Sequence, residues 1–170
     1  MRNLEEYFEE CKRELDAIGV KYGTVTEITV NTRAKSRWGQ CRRYPNGTYT
    51  INIRDILLTD EASEKGLKET ILHELLHTCK GCMKHTGEWK RLAELVNDCY
   101  GYHIKRTDCA EDKGIDGTEY IKNKRMGAKY KFVCTGCGQE IYKYRASDFV
   151  KNTWRYQCGI CHSKFKQVAA

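Results

Sequence analysis

This sequence of 170 residues has only one proline, no long apolar run and no apolar stretch in its first ten residues. Its single proline, Pro45, excludes a proline-rich linker. No apolar stretch approaches the roughly 20 residues that a membrane-spanning helix needs, so we expect no membrane partner. Residues 1–10 hold four glutamates and no apolar core, which predicts the absence of a secretory signal. We therefore expect a cytoplasmic, reducing compartment.

Cysteine and positive charge, by contrast, are plentiful. In a reducing compartment the ten cysteines predict metal ligands or free thiols and not disulfides. The formal net charge is +7, of which residues 111–170 carry +6 and residues 1–110 only +1. A basic segment attracts phosphate backbones or acidic protein surfaces, although solubility alone is the plainer interpretation.

Apolar periodicity and turn residues predict helices and a small sheet in residues 1–108. The predicted helices cover residues 3–18, 61–80 and 86–100, and the predicted strands cover residues 24–30, 37–43 and 48–53. Apolar residues three and four apart mark the faces of the first two helices, and the strands contain β-branched or alternating apolar residues. Pro45-Asn46-Gly47 predicts a turn that joins the second and third strands into a hairpin.

The second predicted helix carries His73-Glu-Leu-Leu-His77, which fits the pattern H-E-x-x-H. Residues four apart share a helical face, so both imidazoles can reach one metal ion. Glu74 lies about 100° further round the helix, where its carboxylate can contact a water molecule and act as a general base. The pattern predicts a zinc site with Glu74 as the catalytic residue. Two surface histidines on a core helix are the plainer alternative.

A catalytic zinc ion needs a third protein ligand and one open position. His85 is the best candidate, because Gly81 lets the helix end and the chain turn back. The rivals are Glu88, His103, Cys79 and Cys82. Cys79 follows His77 by two residues and so points away from the ligand face. The pair Cys79-Lys-Gly-Cys82 indicates thiols near the helix end, with a redox or second metal role as the alternative.

These motifs resemble a known family. His73-Glu-Leu-Leu-His77 followed by His85-Thr-Gly-Glu-Trp-Lys90 resembles the SprT-like zinc metallopeptidases. Upstream, Arg37-Trp-Gly-Gln-Cys41 and Thr50-Ile-Asn-Ile53 are similar to the YgjP and WLM-type metallopeptidases. The resemblance spans residues 3–102 and implies a minimal zincin: an N-terminal helix, a small β-sheet, the metal-binding helix and a following helix. It also implies zinc ligation by His73, His77 and His85, with Glu74 catalytic.

A second metal pattern lies further along the chain. Cys134-Thr-Gly-Cys137 and Cys158-Gly-Ile-Cys161 are two C-x-x-C turns that present four thiolates to one tetrahedral ion. They predict a structural Zn²⁺ on Cys134, Cys137, Cys158 and Cys161. Residues 140–144 and 153–156 between them are rich in β-forming residues, which predicts a small zinc ribbon. SprT-like proteins often carry such a ribbon at the C-terminal end.

The expected organisation follows from both patterns. We predict a SprT-like zincin domain over residues 1–108, a polar linker over residues 109–125 and a four-cysteine zinc-ribbon module over residues 126–170. The expected fold class is α+β, and the expected cofactors are one catalytic and one structural Zn²⁺.

Aromatic and basic residues alternate along the predicted ribbon. Such alternation can stack bases and neutralise phosphates, and the alternative is a small aromatic core with a solvated basic face. The candidate nucleic-acid-binding residues are Lys129, Lys131, Lys143, Arg145, Trp154 and Arg155.

Three functions fit these patterns. The first is a zinc-dependent endopeptidase acting on protein or peptide substrates, near or on single-stranded or double-stranded DNA as the resemblance suggests. The second is a non-catalytic zinc protein that binds nucleic acid through its basic ribbon. The third is a hydrolase of small amides. The group that stabilises the oxyanion stays open among Tyr100, Tyr102, His103 and Arg37.

Overall fold

The computed structural model describes residues 1–34, 36–117 and 127–169. The chain divides into two compact units, residues 1–117 and residues 118–170. Both contain helices and strands, so the predicted α+β class is confirmed. Within the described ranges, no helix combines the length and the apolar character that a membrane crossing requires. Residues 118–125 of the predicted linker lie outside the described residues.

The first unit contains the three predicted helices, which we label α1 (Leu4–Ala17), α2 (Glu64–Thr78) and α3 (Glu88–Tyr100). Each begins or ends at a residue suited to that position. The Asn3 side chain caps α1 by accepting the Glu5 N–H at 3.1 Å, and the Ser63 hydroxyl caps α2 in the same manner. Helix α3 ends at a glycine in the left-handed conformation.

A three-stranded sheet packs on these helices. Its strands are β1 (Val25–Asn31), β2 (Gly39–Arg43) and β3 (Tyr49–Arg54), in the order β1-β3-β2. Strand β1 runs parallel to β3, and β2 pairs antiparallel with β3, so the predicted hairpin is confirmed. Alternate residues of β3 are buried, whereas β2 lies at an edge of the sheet.

Helix α2 lies at the centre of the first unit. It contacts α1, α3, β2 and β3, and for this reason most of its residues are buried. The chain after α3 also packs on it: the Ser63 N–H donates to the Lys113 carbonyl at 2.7 Å. Gly66 permits this approach, because a Cβ at that position would lie 2.7 Å from the Lys113 Cα. The central helix is therefore fixed by contacts with most elements of the first unit.

The second unit has its own antiparallel sheet. The elements are β4 (Tyr130–Cys134), β5 (Glu140–Lys143), α4 (Asp148–Lys151) and β6 (Phe165–Val168), with strand order β5-β4-β6. Aromatic rings form its core: the Phe149 ring lies 5.0 Å from that of Phe132 and 5.6 Å from that of Phe165.

One β-prone segment of this unit is not a strand. Thr153–Arg155 form a 3-10 turn, although residues 153–156 are rich in β-forming residues, and the third strand is β6. Local hydrogen bonds explain the difference: the Thr153 hydroxyl donates to the Phe149 carbonyl at 2.7 Å, and the Tyr156 hydroxyl donates to Asp148 at 2.6 Å. Such side-chain bonds compete with strand pairing.

Candidate metal centre

Three imidazoles meet at one point of the first unit. His73 and His77 lie one turn apart on α2, and His85 comes from the loop between α2 and α3. The Nε2 atom of His85 is 2.9 Å from the Nε2 atom of His77 and 2.9 Å from that of His73. The loop therefore brings the third predicted ligand to the two that helical spacing places together.

This donor set fits a zinc ion. Two nitrogens that each lie 2.0–2.1 Å from a tetrahedral zinc ion are about 3.3 Å apart, close to the separations observed here. Three imidazoles leave one coordination position for another ligand, and imidazole suits zinc among the common divalent ions.

Hydrogen bonding and burial keep the rings in the state that binds metal. The Nδ1 atom of His77 lies 2.8 Å from the Cys82 carbonyl, which can only accept a hydrogen bond, so the proton is on Nδ1 and the Nε2 lone pair is free. Burial and the other imidazoles lower the pKa of His73 to about 3 and also lower the pKa of His85. All three rings are therefore neutral near pH 7.

An indole supports the imidazole cluster. The ring centroid of Trp89, in the first turn of α3, lies 4.6 Å from that of His85, 4.9 Å from that of His73 and 5.6 Å from that of His77. Trp89 is buried. Its position four residues after His85 was visible in the sequence, but its contact with all three rings was not predicted.

The Glu74 carboxyl faces strand β2. The side chain is buried, with the residue 6% exposed, and accepts a hydrogen bond from the Cys41 backbone N–H. Burial raises the pKa of this carboxyl to about 8, while the Cys41 N–H and the positive charge of Arg37 act in the opposite direction. A Cβ at Gly39 would lie 2.5 Å from Glu74 Oε1, so only glycine leaves room for the carboxyl.

The imidazoles and Glu74 line one cavity of about 380 Å³. Arg37 and Trp38 form one part of its wall, and Arg106 and Asp108 form another. The Trp38 indole N–H joins these parts by donating to the Asp108 carbonyl at 3.2 Å. The cavity thus opens onto both the Glu74 carboxyl and the imidazoles.

The rival ligands lie outside the imidazole cluster. Glu88 pairs with Arg91 at 2.6 Å, and the His103 N–H donates to Glu69 at 2.8 Å. The thiols of Cys79 and Cys82 contact backbone carbonyls of their own segment. Within the described ranges, only two groups of side chains are arranged to hold a metal ion, and neither includes these residues.

Of the four candidates for the oxyanion group, three do not line the cavity. The Tyr100 hydroxyl donates to the Glu14 carbonyl at 2.7 Å, and the Tyr102 hydroxyl donates to the Glu14 carboxylate. The backbone of His103 is bound to Glu69. Arg37 is the candidate that lines the cavity.

A buried lysine beneath the site was not predicted. Lys113 is fully buried, and its Nζ lies 2.7 Å from Asp108 Oδ2 and 3.9 Å from Glu69 Oε2. Its charge also contributes to the lowered pKa of His73. The residue falls in the segment predicted as a linker, where the polar sequence carries no signal of burial.

The four predicted cysteines come together in the second unit. The Sγ atoms of Cys134 and Cys161 are 3.3 Å apart, and those of Cys137 and Cys158 are 3.6 Å apart. Thiolates on a tetrahedral zinc ion are about 3.8 Å apart, so this group also fits zinc. Hydrogen bonds from Ser163 lower the pKa of Cys161, which favours the thiolate that a metal needs.

The candidate nucleic-acid-binding residues differ in exposure. Lys131 is tied to Glu140 at 2.7 Å, and the Lys143 ammonium lies 5.4 Å from the centre of the Phe149 ring. The exposed candidates are Lys129, Arg145, Trp154 and Arg155. Trp154 is 70% exposed and lies 5.3 Å from the Arg155 guanidinium. The indole and guanidinium thus form a mixed aromatic and basic surface.

An α+β fold in which two imidazoles of the central helix and one of the following loop form a single donor set defines a metal-binding protein. The SprT-like family model matches residues 4–109, so the chain belongs to the SprT-like family, and the predicted resemblance is confirmed.

Two relatives extend the match. The chain is 29% identical to the protein SprT-like of Bacillus subtilis (strain 168), over 81% of this chain and 80% of that protein. It is 25% identical to the germ cell nuclear acidic-1 protein of Caenorhabditis elegans, over 82% of this chain but only 24% of that much longer protein. No solved structure matches the chain at a significant level.

Proposed function

We propose that this protein is a zinc-dependent endopeptidase with a minimal zincin core. One observation carries the proposal: three neutral imidazoles, with the Nε2 atom of His85 2.9 Å from each of the other two, share a cavity with the buried carboxyl of Glu74. Membership of the SprT-like family supports the same conclusion.

His73, His77 and His85 would hold the catalytic ion, and the Cys82 carbonyl orients the His77 ring for this task. When bound, zinc supplies Lewis-acid chemistry, which lowers the pKa of water and polarises a carbonyl group. The protein contributes a fixed set of nitrogen donors and excludes bulk solvent from the buried side of the cluster.

Glu74 carries out the proton transfer of the proposed reaction. Its carboxylate accepts a proton from the attacking water and then donates it to the nitrogen of the leaving amine. The Cys41 N–H and the Arg37 charge favour the ionised carboxylate before the transfer, and burial favours the protonated carboxyl after it. Opposing influences of this kind suit a group that must both take up and release a proton.

Strand β2 offers an edge to an extended substrate. The Arg54 N–H donates to the Trp38 carbonyl and the Tyr44 N–H donates to the Thr48 carbonyl, so residues 38 and 44 direct their backbone groups to β3. Backbone direction alternates along a strand. The backbone groups of Gly39, Cys41 and Arg43 therefore face away from β3, where the Cys41 N–H already donates to Glu74. A peptide that pairs along this edge lies next to Glu74.

The second unit is proposed to contain a structural zinc ion. Its four thiols form a closed set of ligands with no open position, and such sites stabilise small folds. The predicted limits of the parts, 1–108, 109–125 and 126–170, stay predictions.

We propose further that the second unit binds DNA and so brings the peptidase to protein substrates on DNA. The exposed Trp154 beside Arg155 supports this, because an indole can stack on a base while a guanidinium pairs with phosphate. The same surface supports the second candidate function, a non-catalytic zinc protein that binds nucleic acid.

A cytoplasmic, reducing compartment is part of the proposal. None of the ten cysteines forms a disulfide, and this includes the neighbouring pair Cys79 and Cys82. Thiolate metal sites persist in a reducing compartment.

Cleavage of a denatured protein by the zinc-loaded wild type and by Glu74→Gln tests the function. We expect the wild type to cleave and Glu74→Gln to lose at least about a hundredfold in rate, at unchanged zinc content. Glu94→Gln, the same change on an exposed face of α3, is the matched control and should cleave as the wild type does. Absence of cleavage by the wild type, with and without DNA, would favour the non-catalytic alternative.

A further inference from the structure

Two arginines line the cavity, each from a different part of its wall. Arg37 belongs to the segment before β2, and Arg106 belongs to the segment after α3. Both side chains are exposed, and neither forms an ion pair or hydrogen bond within the part of the chain that the structure describes. Arg91 shows the contrast, since it is paired with Glu88. Two guanidinium groups are thus available to a ligand.

The fold holds these two segments together. Arg37 directly precedes Trp38, and Arg106 lies two residues before Asp108, whose carbonyl accepts the Trp38 indole N–H at 3.2 Å. Both arginines line the cavity that Glu74 and the three imidazoles share. The pair therefore flanks the point where the imidazoles and the carboxyl meet.

The acidic groups nearby do not neutralise the pair. The Asp108 carboxylate lies 2.7 Å from the buried Lys113 ammonium, which balances its charge. Glu74 faces inward to Gly39 and Cys41. The electrostatic character of the cavity wall is therefore positive even before a metal ion is counted.

We propose that Arg37 and Arg106 form a subsite for the carboxylate of an Asp or Glu side chain of the polypeptide substrate, close to the bond that is cleaved. The proposal rests on the proposed endopeptidase function and names its substrate class. A guanidinium group matches a carboxylate with two parallel hydrogen bonds, which gives selectivity as well as affinity.

A nucleic-acid phosphate is the less suitable ligand. The arginines line the same cavity of about 380 Å³ as Glu74 and the imidazoles, so a bound nucleotide would fill the space that the substrate peptide requires. The Arg54 guanidinium lies 5.2 Å from the centre of the Trp38 ring, so one face of this ring is already covered and less of it is left for a base to stack on. A peptide carboxylate meets neither obstacle.

Peptide binding to the zinc-loaded Glu74→Gln protein tests the subsite without turnover. Two fluorescein-labelled decapeptides are compared by fluorescence anisotropy, one with Asp and Glu and the other with Asn and Gln at the same positions. We expect the acidic peptide to bind about tenfold more tightly at low salt, and the added variants Arg37→Gln and Arg106→Gln each to remove most of this preference. Arg13→Gln, the same charge change on an exposed position of α1, is the matched control and should leave the preference intact.

Three outcomes overturn the subsite: equal binding of the two peptides, an equal loss with Arg13→Gln, or displacement of the acidic peptide by a single-stranded oligonucleotide that itself depends on Arg37 and Arg106. Cleavage of the same peptides by the wild type separates this inference from the function. Selective binding without cleavage would support the subsite and contradict the peptidase function. Cleavage without selectivity would support the peptidase function and contradict the subsite.

Discussion

Gly39 and the Glu74 carboxyl occupy adjoining space, with no room for a side chain between them. A Cβ at position 39 would lie 2.5 Å from Oε1 and 2.7 Å from Cγ of Glu74. Strand β2 therefore contributes to the site in two ways: Gly39 leaves space for the carboxyl, and the Cys41 backbone N–H donates to it. The position of the carboxyl depends on both.

Gly39→Ala should displace the Glu74 carboxyl while leaving the imidazoles in place. We expect cleavage to fall at least about tenfold, with stability lowered by about 1–3 kcal/mol through overpacking. Cleavage rates and zinc content are measured together. Gly127→Ala is the control, since a Cβ there makes only an ordinary contact, 3.6 Å from the Tyr144 ring. Loss of zinc from Gly39→Ala would indicate a wider disruption than the contact predicts.

The two ligand groups should hold metal independently. We expect two zinc ions per wild-type chain, one for His77→Ala and one for Cys134→Ser, measured by atomic emission on dialysed protein. His103→Ala should still bind two, because His103 lies outside both groups. One ion per wild-type chain would contradict this arrangement.

The pKa of Glu74 predicts a pH dependence of the metal-free protein. Its folded pKa of about 8 exceeds the ordinary 4.5, so the folded state binds more protons than the unfolded state between these values. The free energy of unfolding of the wild type should therefore fall relative to that of Glu74→Gln as the pH rises from about 4.5 to 8. Over this whole range the relative loss is on the order of a few kcal/mol. Urea unfolding of both proteins with a chelator, at pH 5 and at pH 8, measures this loss. If the stability of the wild type relative to Glu74→Gln stayed constant or rose with pH, the raised pKa of Glu74 would be refuted.

Lys113→Met should destabilise the first unit strongly, because it leaves Asp108 and Glu69 beside each other without their counter-charge. We expect a loss of about 3–5 kcal/mol in the free energy of unfolding. The control Lys105→Met breaks an exposed pair with Asp112 and should cost less than about 1 kcal/mol. Adding Asp108→Asn to Lys113→Met should recover part of the loss, and failure to do so would assign the effect to packing alone.

Trp154→Ala should weaken binding of single-stranded DNA by about 1–3 kcal/mol, the usual contribution of one stacked base. Ile160→Ala is a close control, because both side chains are 70% exposed but an isoleucine cannot stack. Fluorescence anisotropy at several salt concentrations separates the stacking contribution from the basic charge. Equal effects of the two substitutions would exclude the indole as a stacking platform.

Local patterns predicted much of this molecule. The helices, the hairpin at Pro45 and the pairing of His73 with His77 all follow from spacings of a few residues. His85 also lies beside these two imidazoles, since a helix end and a short loop limit where the chain can return.

Contacts between distant segments were not visible in the same way. The Gly39 and Glu74 contact joins residues 35 positions apart, and nothing in either short segment indicates the partner. Residues 153–156 have strand-forming side chains, but their hydrogen bonds to Asp148 and Phe149 select a turn. Secondary-structure propensity is a property of single residues, whereas this contact and this turn depend on the residues that surround them in the fold.

The buried ammonium of Lys113 bears on where the first unit can be cut. A chain shortened at residue 108 or 109 keeps the imidazoles and Glu74, yet it removes the only cation within 4 Å of Asp108 and Glu69 among the described residues. It also loses the carbonyl that receives the Ser63 N–H at the start of α2. A recombinant fragment intended for crystallisation therefore needs its C-terminal end at or beyond residue 117.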